Sequence, residues 1–187
     1  DTKVYGRVGS RQERERMQAD LTRLFEWSEK WQIVFNADKC VVMHIGGKNV
    51  KESYTLGGKV LSEVVEERDL RVIVQNDLKV DKQCRRAANE GNKMLGMIRR
   101  NFECKDKGVV IPLYKSLVRP RMDYCIQAWR PHFRKDIEVL ERIQRRATKM
   151  VAGLSEMVYS NWDRLREVGL TTFETRVVRA DLLEVYR

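Results

Sequence analysis

The chain has 187 residues, of which 42% are hydrophobic and 34% are charged, and its net charge at pH 7 is +10. This composition is that of a folded protein, and the length allows one full hydrophobic core or two small ones. No apolar run approaches the ~18 residues of a membrane span, and no basic-then-apolar signal segment opens the chain. We therefore expect an intracellular protein, nuclear or cytoplasmic, with no membrane partner.

The cysteine spacing argues against a disulfide framework. The four cysteines are Cys40, Cys84, Cys104 and Cys125, and no two of them form a Cys-x-x-Cys pair. In an intracellular chain, such spacing favours free thiols. We expect these thiols to be buried.

Before residue 80 the sequence predicts one long helix and short strands. Residues 12–31 predict an amphipathic helix whose apolar stripe we expect to be core. Residues 40–45 are apolar and β-branched enough for a strand buried on both faces. Gly57 and Gly58 supply the turn of a tight hairpin. The predicted strands cover residues 4–8, 40–45 and 70–74, with the hairpin over 54–61.

After residue 80 the sequence predicts helices. Their predicted ranges are 81–100, 107–118, 120–129 and 134–151, followed by a short helix that holds Trp162, Leu165 and Val168. Thr171-x-x-Glu174 predicts a capping box at the start of a last helix, which we expect to run through Arg187. The predicted fold class is therefore α+β and mainly helical.

The positive charge is concentrated in the middle of the chain. Residues 1–80 have a net charge of +1, residues 81–152 carry 18 Lys/Arg against 8 Asp/Glu, and residues 153–187 have a net charge of −1. A block this asymmetric favours a surface that binds a polyanion. A solvated basic face is the alternative that charge alone leaves open.

Two predicted helices carry this charge as coherent faces. The first has Arg86, Lys93 and Arg100 at intervals of seven residues, beside Arg85. The second has Arg142, Arg145, Arg146 and Lys149 at i, i+3, i+4 and i+7. Because each face is nearly single-signed and opposite an apolar stripe, the pattern favours contact with a nucleic-acid phosphate backbone. The aromatic residues nearby could stack on bases, but at helical spacing we expect them to be core. They are Tyr114, Tyr124, Trp129, Phe133 and Trp162.

Six segments together resemble one protein family. They are DTKV at 1–4, FNADKCVVMHIG at 35–46, LGMIRR at 95–100, PLYKSLVRP at 112–120, LERIQRRAT at 140–148 and GLTTFE at 169–174. The chain resembles the reverse transcriptases of non-LTR retrotransposons (LINEs), and within them the chicken-repeat clade. We expect the chain to begin inside the catalytic motif of that family and to be cut at both ends.

The resemblance implies roles for three residues in the first part of the chain. Asp1 would be the second aspartate of the catalytic pair and a ligand of Mg²⁺, which two-metal nucleotidyl transfer requires. Lys39 would stabilise the leaving pyrophosphate, and a lysine that caps the start of a strand is the alternative. Arg71 takes the place of a glycine in the primer-grip hairpin. That exchange puts a close backbone contact with the primer in doubt, although Arg71 could reach a phosphate instead.

The resemblance also implies a domain order and a function. It implies a palm remnant over 1–79, a helical thumb over 80–152 and a truncated connecting tail over 153–187. The chain would be a C-terminal fragment of an RNA-directed DNA polymerase that binds RNA–DNA hybrid or duplex independently of sequence. Because the upstream palm and fingers are missing, we expect the chain alone to hold no cofactor and to lack polymerase activity. The alternatives are a separately expressed nucleic-acid-binding or protein-interaction module, and a relic without function.

Overall fold

The structure is a computed structural model that describes residues 2–155 and 160–186. Within that part of the chain, one helix and short strands precede residue 80 and helices follow it, so the fold is α+β and mainly helical as predicted. It divides into two compact units. The first is Asp1–Asp69 with Val74–Lys79, and the second is Leu70–Ile73 with Val80–Arg187.

The helix of the first unit is α1, Arg11–Lys30, which begins at a capping box. The Ser10 hydroxyl accepts from the backbone N–H of Glu13, and the Glu13 carboxylate accepts from the backbone N–H of Ser10. The helix agrees with the prediction, but its apolar stripe is only partly core. Ser28 is buried, whereas Trp31 is 60% exposed. The paired strands of this unit are too short to cover the whole stripe.

In the part of the chain that the structure describes, six strands form three two-stranded sheets. They are β1 Val41–Val42, β2 Thr55–Leu56, β3 Lys59–Val60, β4 Ser62–Glu63, β5 Glu66–Asp69 and β6 Val72–Gln75. β1 pairs with β4 in parallel, β2 pairs with β3 in antiparallel, and β5 pairs with β6. The predicted hairpin is confirmed between β2 and β3. Its turn residues Gly57 and Gly58 have φ of +59° and +79°, which a glycine adopts without strain.

Three strand predictions differ from the structure. Residues 4–8 form neither helix nor strand, and the predicted strand over 40–45 is reduced to Val41–Val42. That strand is not buried on both faces, because Val41 is exposed and Val42 is only partly buried. Among the described residues it pairs only with β4, so its other edge has no strand to cover it. The predicted strand over 70–74 begins at Val72, because the two residues before it form the turn.

The second unit is built from seven α-helices and one π-helical turn within the described residues. They are α2 Asp81–Asn101, α3 Lys107–Leu113, the π turn Tyr114–Val118, α4 Arg119–Met122, α5 Ile126–Trp129, α6 Arg134–Lys149, α7 Asn161–Glu167 and α8 Phe173–Val185. Among the helices that the structure describes, none combines the length and the apolar character that crossing a bilayer requires.

The π turn lies immediately before Pro120. It is closed by the backbone N–H of Arg119, which donates to the carbonyl of Tyr114. Pro120 has no N–H for the carbonyl of Ser116, four residues earlier, and its ring would crowd that carbonyl in an α-helix. The wider π turn relieves this conflict, so the helix continues through Met122 instead of restarting at residue 120 as predicted.

The core of this unit joins α2 to α6. The two helices run parallel, because Asp136 near the start of α6 acts on Cys84 near the start of α2, and Ile143 lies at Gly91 farther along both helices. A Cβ atom at Gly91 would lie 3.1 Å from Ile143 Cγ2, and Arg146 Nη1 donates to Asn92 Oδ1 over 2.7 Å. The buried face of α2 agrees with the prediction, and its members are Cys84, Ala87, Ala88, Gly91, Leu95 and Ile98. The same apolar cluster includes Leu165, Phe173 and Val177, so α7 and α8 pack on the same core as α2 and α6.

A buried polar network holds α6 in place. Gln144, which is fully buried, accepts from the hydroxyl of Tyr114 over 2.9 Å and donates to the carbonyl of Thr171 over 2.9 Å. α8 begins one residue later than the predicted capping box. Its cap is Thr172, whose hydroxyl accepts from the backbone N–H of Thr175.

Candidate nucleic-acid interface

The residues of the candidate site lie on the exposed sides of α2 and α6. We call them the basic surface: Asn89, Asn92, Lys93, Gly96 and Arg100 on α2, and Arg142, Arg145, Arg146 and Lys149 on α6. On each helix the 3.6-residue period places these residues opposite the buried face. The local sequence pattern therefore orients both sets of side chains outward.

The α6 side carries cations that no other described residue neutralises. Arg142, Arg145 and Lys149 are exposed, and none of them has a hydrogen bond or ion pair with another described residue. Leu140, on the opposite face of α6, is fully buried. Three cations on one helix face, free of internal partners, are available for an external anion.

The α2 side forms an open groove of about 550 Å³, lined by Asn89, Asn92, Lys93, Gly96 and Arg100. Lys93 donates to Glu90 Oε1 over 2.9 Å, so its charge is partly offset. The pKa of Glu90 is below its ordinary value, chiefly because of this hydrogen bond, with the charges of Arg121 and Arg86 acting in the same direction. Even the acidic residue beside the groove is thus in a positive environment.

A hydrogen bond joins the two sides. Arg146 Nη1 donates to Asn92 Oδ1 over 2.7 Å, which fixes the edge of the α6 face against the groove of α2. Since the helices run parallel, the cationic C-terminal halves of both lie at the same end of the unit. The two faces that the sequence predicted separately are therefore joined at Arg146 and Asn92.

Arg71, Arg85 and Arg86 lie toward the start of α2. Arg86 Nη1 donates to the carbonyl of Arg71 over 2.7 Å, so Arg86 supports the β5–β6 turn instead of projecting freely. Arg85 is paired with Asp81 over 3.1 Å. Arg71 is exposed, and its φ is +71° in a turn whose other central residue, Leu70, has φ of +43°. A primed hairpin turn requires this conformation, which favours glycine at the position of Arg71.

Of the two residues assigned to catalysis, Lys39 lies in the first unit and Asp1 lies outside the residues that the structure describes. Lys39 is exposed at the end of a 3₁₀ turn, Ala37–Lys39, that is capped by the side chain of Asn36. The part of the chain that the structure describes contains no group of three or more His, Cys, Asp or Glu side chains placed to hold a metal ion.

The aromatic residues divide into two classes. Tyr114 and Trp129 are buried, as expected, but Tyr124, Phe133 and Trp162 are exposed, so the expectation of core is wrong for these three. Their helices are short or begin at these residues, which leaves the side chains at the rim of the core. None of the five lines the groove on α2.

The neutral residues of the groove were not predicted from the sequence. Asn89, Asn92 and Gly96 share a helical face with Lys93 and Arg100, at spacings of three, four and seven residues, so the same periodicity could have identified them. The arrangement as a whole offers separated positive charges and amide donors along an open groove, which suits a linear polyanion. No protein-family model matches the chain, and neither a curated protein nor a solved structure shows significant similarity to it.

Proposed function

We propose that the chain binds the sugar–phosphate backbone of a nucleic-acid duplex through the basic surface. We further propose that it is the C-terminal part of a non-LTR-type RNA-directed DNA polymerase. In this proposal residues 1–79 are a palm remnant, residues 80–152 a thumb and residues 153–187 a connecting tail. The partner is an RNA–DNA hybrid or duplex, held without sequence preference.

The single observation that carries the proposal is the set of unpaired cations on α6. Arg142, Arg145 and Lys149 have no internal partner among the described residues, although the chain holds enough carboxylates to pair many of its cations elsewhere. Each arginine or lysine that replaces condensed counterions on a phosphate contributes to affinity and to its salt dependence. Phosphate contacts orient a protein on a duplex but do not read sequence.

The composition of the groove supports a duplex over a single strand. Sequence-independent binding of single strands combines cations with aromatic side chains on which bases stack. The groove on α2 contains amide, glycine and cationic residues, and no aromatic residue lines it. Such a surface contacts phosphates and sugars and leaves the bases paired.

In this proposal, polymerisation needs residues of the full family enzyme in addition to those of this chain. In the full family enzyme, Mg²⁺ held by several carboxylates would stabilise the attacking and leaving oxygens. Asp1 would supply one ligand by resemblance, and Lys39 would act on the leaving group. With the described carboxylates scattered, we expect the isolated chain to extend no primer.

Fluorescence anisotropy with a labelled RNA–DNA hybrid tests the binding proposal. If about four phosphates are neutralised, the logarithm of the association constant should fall with the logarithm of salt concentration at a slope of roughly −3.6. The triple change Arg142→Glu, Arg145→Glu and Arg146→Glu should weaken binding about tenfold or more and reduce the slope by roughly 2.7 units. The loss should be equal for hybrids of unrelated sequence.

A matched control separates local contact from net charge. Lys115→Glu, Arg166→Glu and Arg179→Glu change the net charge by the same amount at exposed positions on other helical segments. This variant should keep the slope of the unaltered protein and most of its affinity. Equal losses in the two triple variants would mean that only overall charge matters, and an unchanged Arg142/Arg145/Arg146 variant would refute the proposed surface.

A second candidate function is protein interaction through the first unit. Trp27 lies in the last turn of α1 and Trp31 caps its end. Both are exposed, as are Ile33 and Val34 just beyond them. Neighbouring exposed apolar residues mark surfaces that other proteins cover. Light scattering discriminates the candidates, because Trp31→Glu with Val34→Lys should reduce self-association without altering affinity for the hybrid.

A further inference from the structure

Gly96 lies in the interior of α2, where glycine is less favourable than any residue except proline. A Cβ atom at Gly96 would meet no described atom within 4 Å, so no neighbour in the protein accounts for the missing side chain. Gly91, in the same helix, differs. A Cβ atom there would lie 3.0 Å from Met122 Sδ and 3.1 Å from Ile143 Cγ2. Packing accounts for Gly91 and leaves Gly96 unexplained.

The surroundings of Gly96 are those of a ligand site. It lines the groove of the basic surface, with Lys93 one turn before it and Arg100 one turn after it. Asn92 Oδ1 is occupied by Arg146, which fixes the amide and leaves Asn92 Nδ2 without a hydrogen-bond partner among the described residues. Two cations and an oriented amide donor thus flank a position without a side chain.

We infer that the sugar–phosphate backbone of the bound duplex crosses α2 at Gly96 and contacts the helix main chain there. The inference rests on the proposed function and adds to it the point of closest approach. With no Cβ atom in the way, a sugar or phosphate group reaches van der Waals contact with the helix backbone. Lys93 and Arg100 then pair with phosphates on either side, and Asn92 Nδ2 donates to a backbone oxygen between them.

The test uses Gly96→Ala in the full 187-residue chain, with Gly108→Ala as the matched control. Gly108 is also helical, in the first turn of α3, and a Cβ atom there also meets nothing within 4 Å of the described structure. Thermal unfolding should show that Gly96→Ala is folded and melts higher than the unaltered chain, because alanine favours the helix interior.

Anisotropy with the labelled RNA–DNA hybrid should show the opposite trend for binding. Gly96→Ala should bind roughly fivefold more weakly or worse, because an added carbon at a close contact forces the partners apart. Its salt slope should stay unchanged, since no charge is removed. Gly96→Leu should lose more affinity, and Gly108→Ala should bind as the unaltered chain does.

The outcomes separate the inference from the proposed function. If the unaltered chain binds with the expected salt slope and Gly96→Ala binds equally well, the crossing point is wrong while the basic surface stands. Equal weakening by Gly96→Ala and Gly108→Ala would also overturn the crossing point. If the unaltered chain binds no hybrid or duplex, both fail together.

Discussion

Arg176 on α8 donates to both carboxylate oxygens of Asp123, over 2.8 Å from Nε and 3.0 Å from Nη2. Its remaining nitrogen, Nη1, donates to Gln144 Oε1 over 2.8 Å. Burial alone would lower the pKa of Arg176, but the hydrogen bond and charge of Asp123 outweigh it and raise that pKa. One guanidinium therefore joins α8 to the segment after α4 and to the centre of α6.

Replacing Arg176 should destabilise the second unit markedly. Arg176→Met leaves Asp123 without its guanidinium partner and removes one of the two donors to Gln144 Oε1, while the Tyr114 hydroxyl still donates to that oxygen. The side chains of Arg176 and Asp123 are only 15% and 27% exposed. We expect a loss of about 2–3 kcal/mol in the free energy of unfolding, somewhat below that of a fully buried pair. Urea denaturation followed by circular dichroism measures it.

Arg130 provides the control for that change. It pairs with Asp181, also on α8, but the two side chains are 43% and 29% exposed. Arg130→Met should therefore cost about 0–1 kcal/mol. If Arg176→Met loses no more stability than this, the hydrogen bonds from Arg176 to Asp123 and Gln144 add little to the free energy of unfolding.

The unfolding free energy should fall at alkaline pH because of Cys84. Burial raises the pKa of this thiol to about 12, with the charges of Asp136 and Asp81 adding to the effect. The unfolded chain releases the proton from about pH 9, whereas the folded chain retains it. The stabilisation is therefore complete below about pH 9 and is lost at up to ~1.4 kcal/mol per pH unit until about pH 12.

Denaturation curves at pH 8 and pH 10.5 measure this dependence. In Cys84→Ala the unfolding free energy should decrease less between these pH values. Some decrease should remain, because burial also raises the pKa of Tyr114, which lowers stability in the same way above about pH 10. Cys104→Ala, at an exposed thiol, should retain the full pH dependence. If the unfolding free energy of Cys84→Ala decreases with pH as steeply as that of the unaltered chain, the pH dependence does not come from Cys84.

Glycine at position 71 should stabilise the β5–β6 hairpin. The φ of Arg71 is +71°, which costs a residue with a side chain roughly 1 kcal/mol, partly offset by the greater freedom of glycine in the unfolded chain. Arg71→Gly should therefore raise the unfolding free energy by about 0.5–1 kcal/mol. The hydrogen bond from Arg86 survives, because it ends on the backbone carbonyl.

Arg68→Gly is the matched control, because it removes the same charge from within strand β5. It should lower stability by about 0.5–1 kcal/mol, since glycine is unfavourable in a strand interior. If Arg71 also contacts a phosphate, Arg71→Gly should reduce the salt slope of binding by roughly 0.9 despite its greater stability. Destabilisation by Arg71→Gly would mean that the turn is not as described.

The two units should differ in hydrogen exchange. In the described part of the first unit, Tyr54 and Leu56 are the buried apolar residues, whereas the second unit has an extended apolar cluster. Amides in residues 36–75 should therefore exchange about a hundredfold faster or more than amides in the helices of residues 81–151. Equal strong protection in a dilute monomer would show that the first unit is a stable domain of its own.

The sequence predicted well where one helix face decides the structure. α2 and α6 follow from the 3.6-residue period alone, because their apolar and cationic residues separate cleanly. The capping box from Ser10 to Glu13 was not predicted, although both partners lie within one turn and the Ser-x-x-Glu spacing indicates it. Local signals of this kind need no knowledge of the rest of the fold.

Features that depend on distant partners could not be predicted. Residues 40–45 are suited to a strand, but only a neighbouring strand makes one, and β4 reaches only two of them. The carbonyl of Thr171 accepts from Gln144, a residue of another helix, and no signal near Thr171 in the sequence indicates that contact. The joining of the two cationic faces depends on Arg146 and Asn92, which are 54 positions apart.

The parallel packing of α2 on α6 has a consequence for how the second unit folds. Two parallel helices cannot be joined by a short turn, so α3, the π turn, α4 and α5 must all be made before α6 can meet α2. Contacts between residues as distant as Asn92 and Arg146 close a long loop, and such contacts slow folding. During synthesis, the part of α2 that packs against α6 therefore stays uncovered until α6 has emerged from the ribosome, and only then is the basic surface complete.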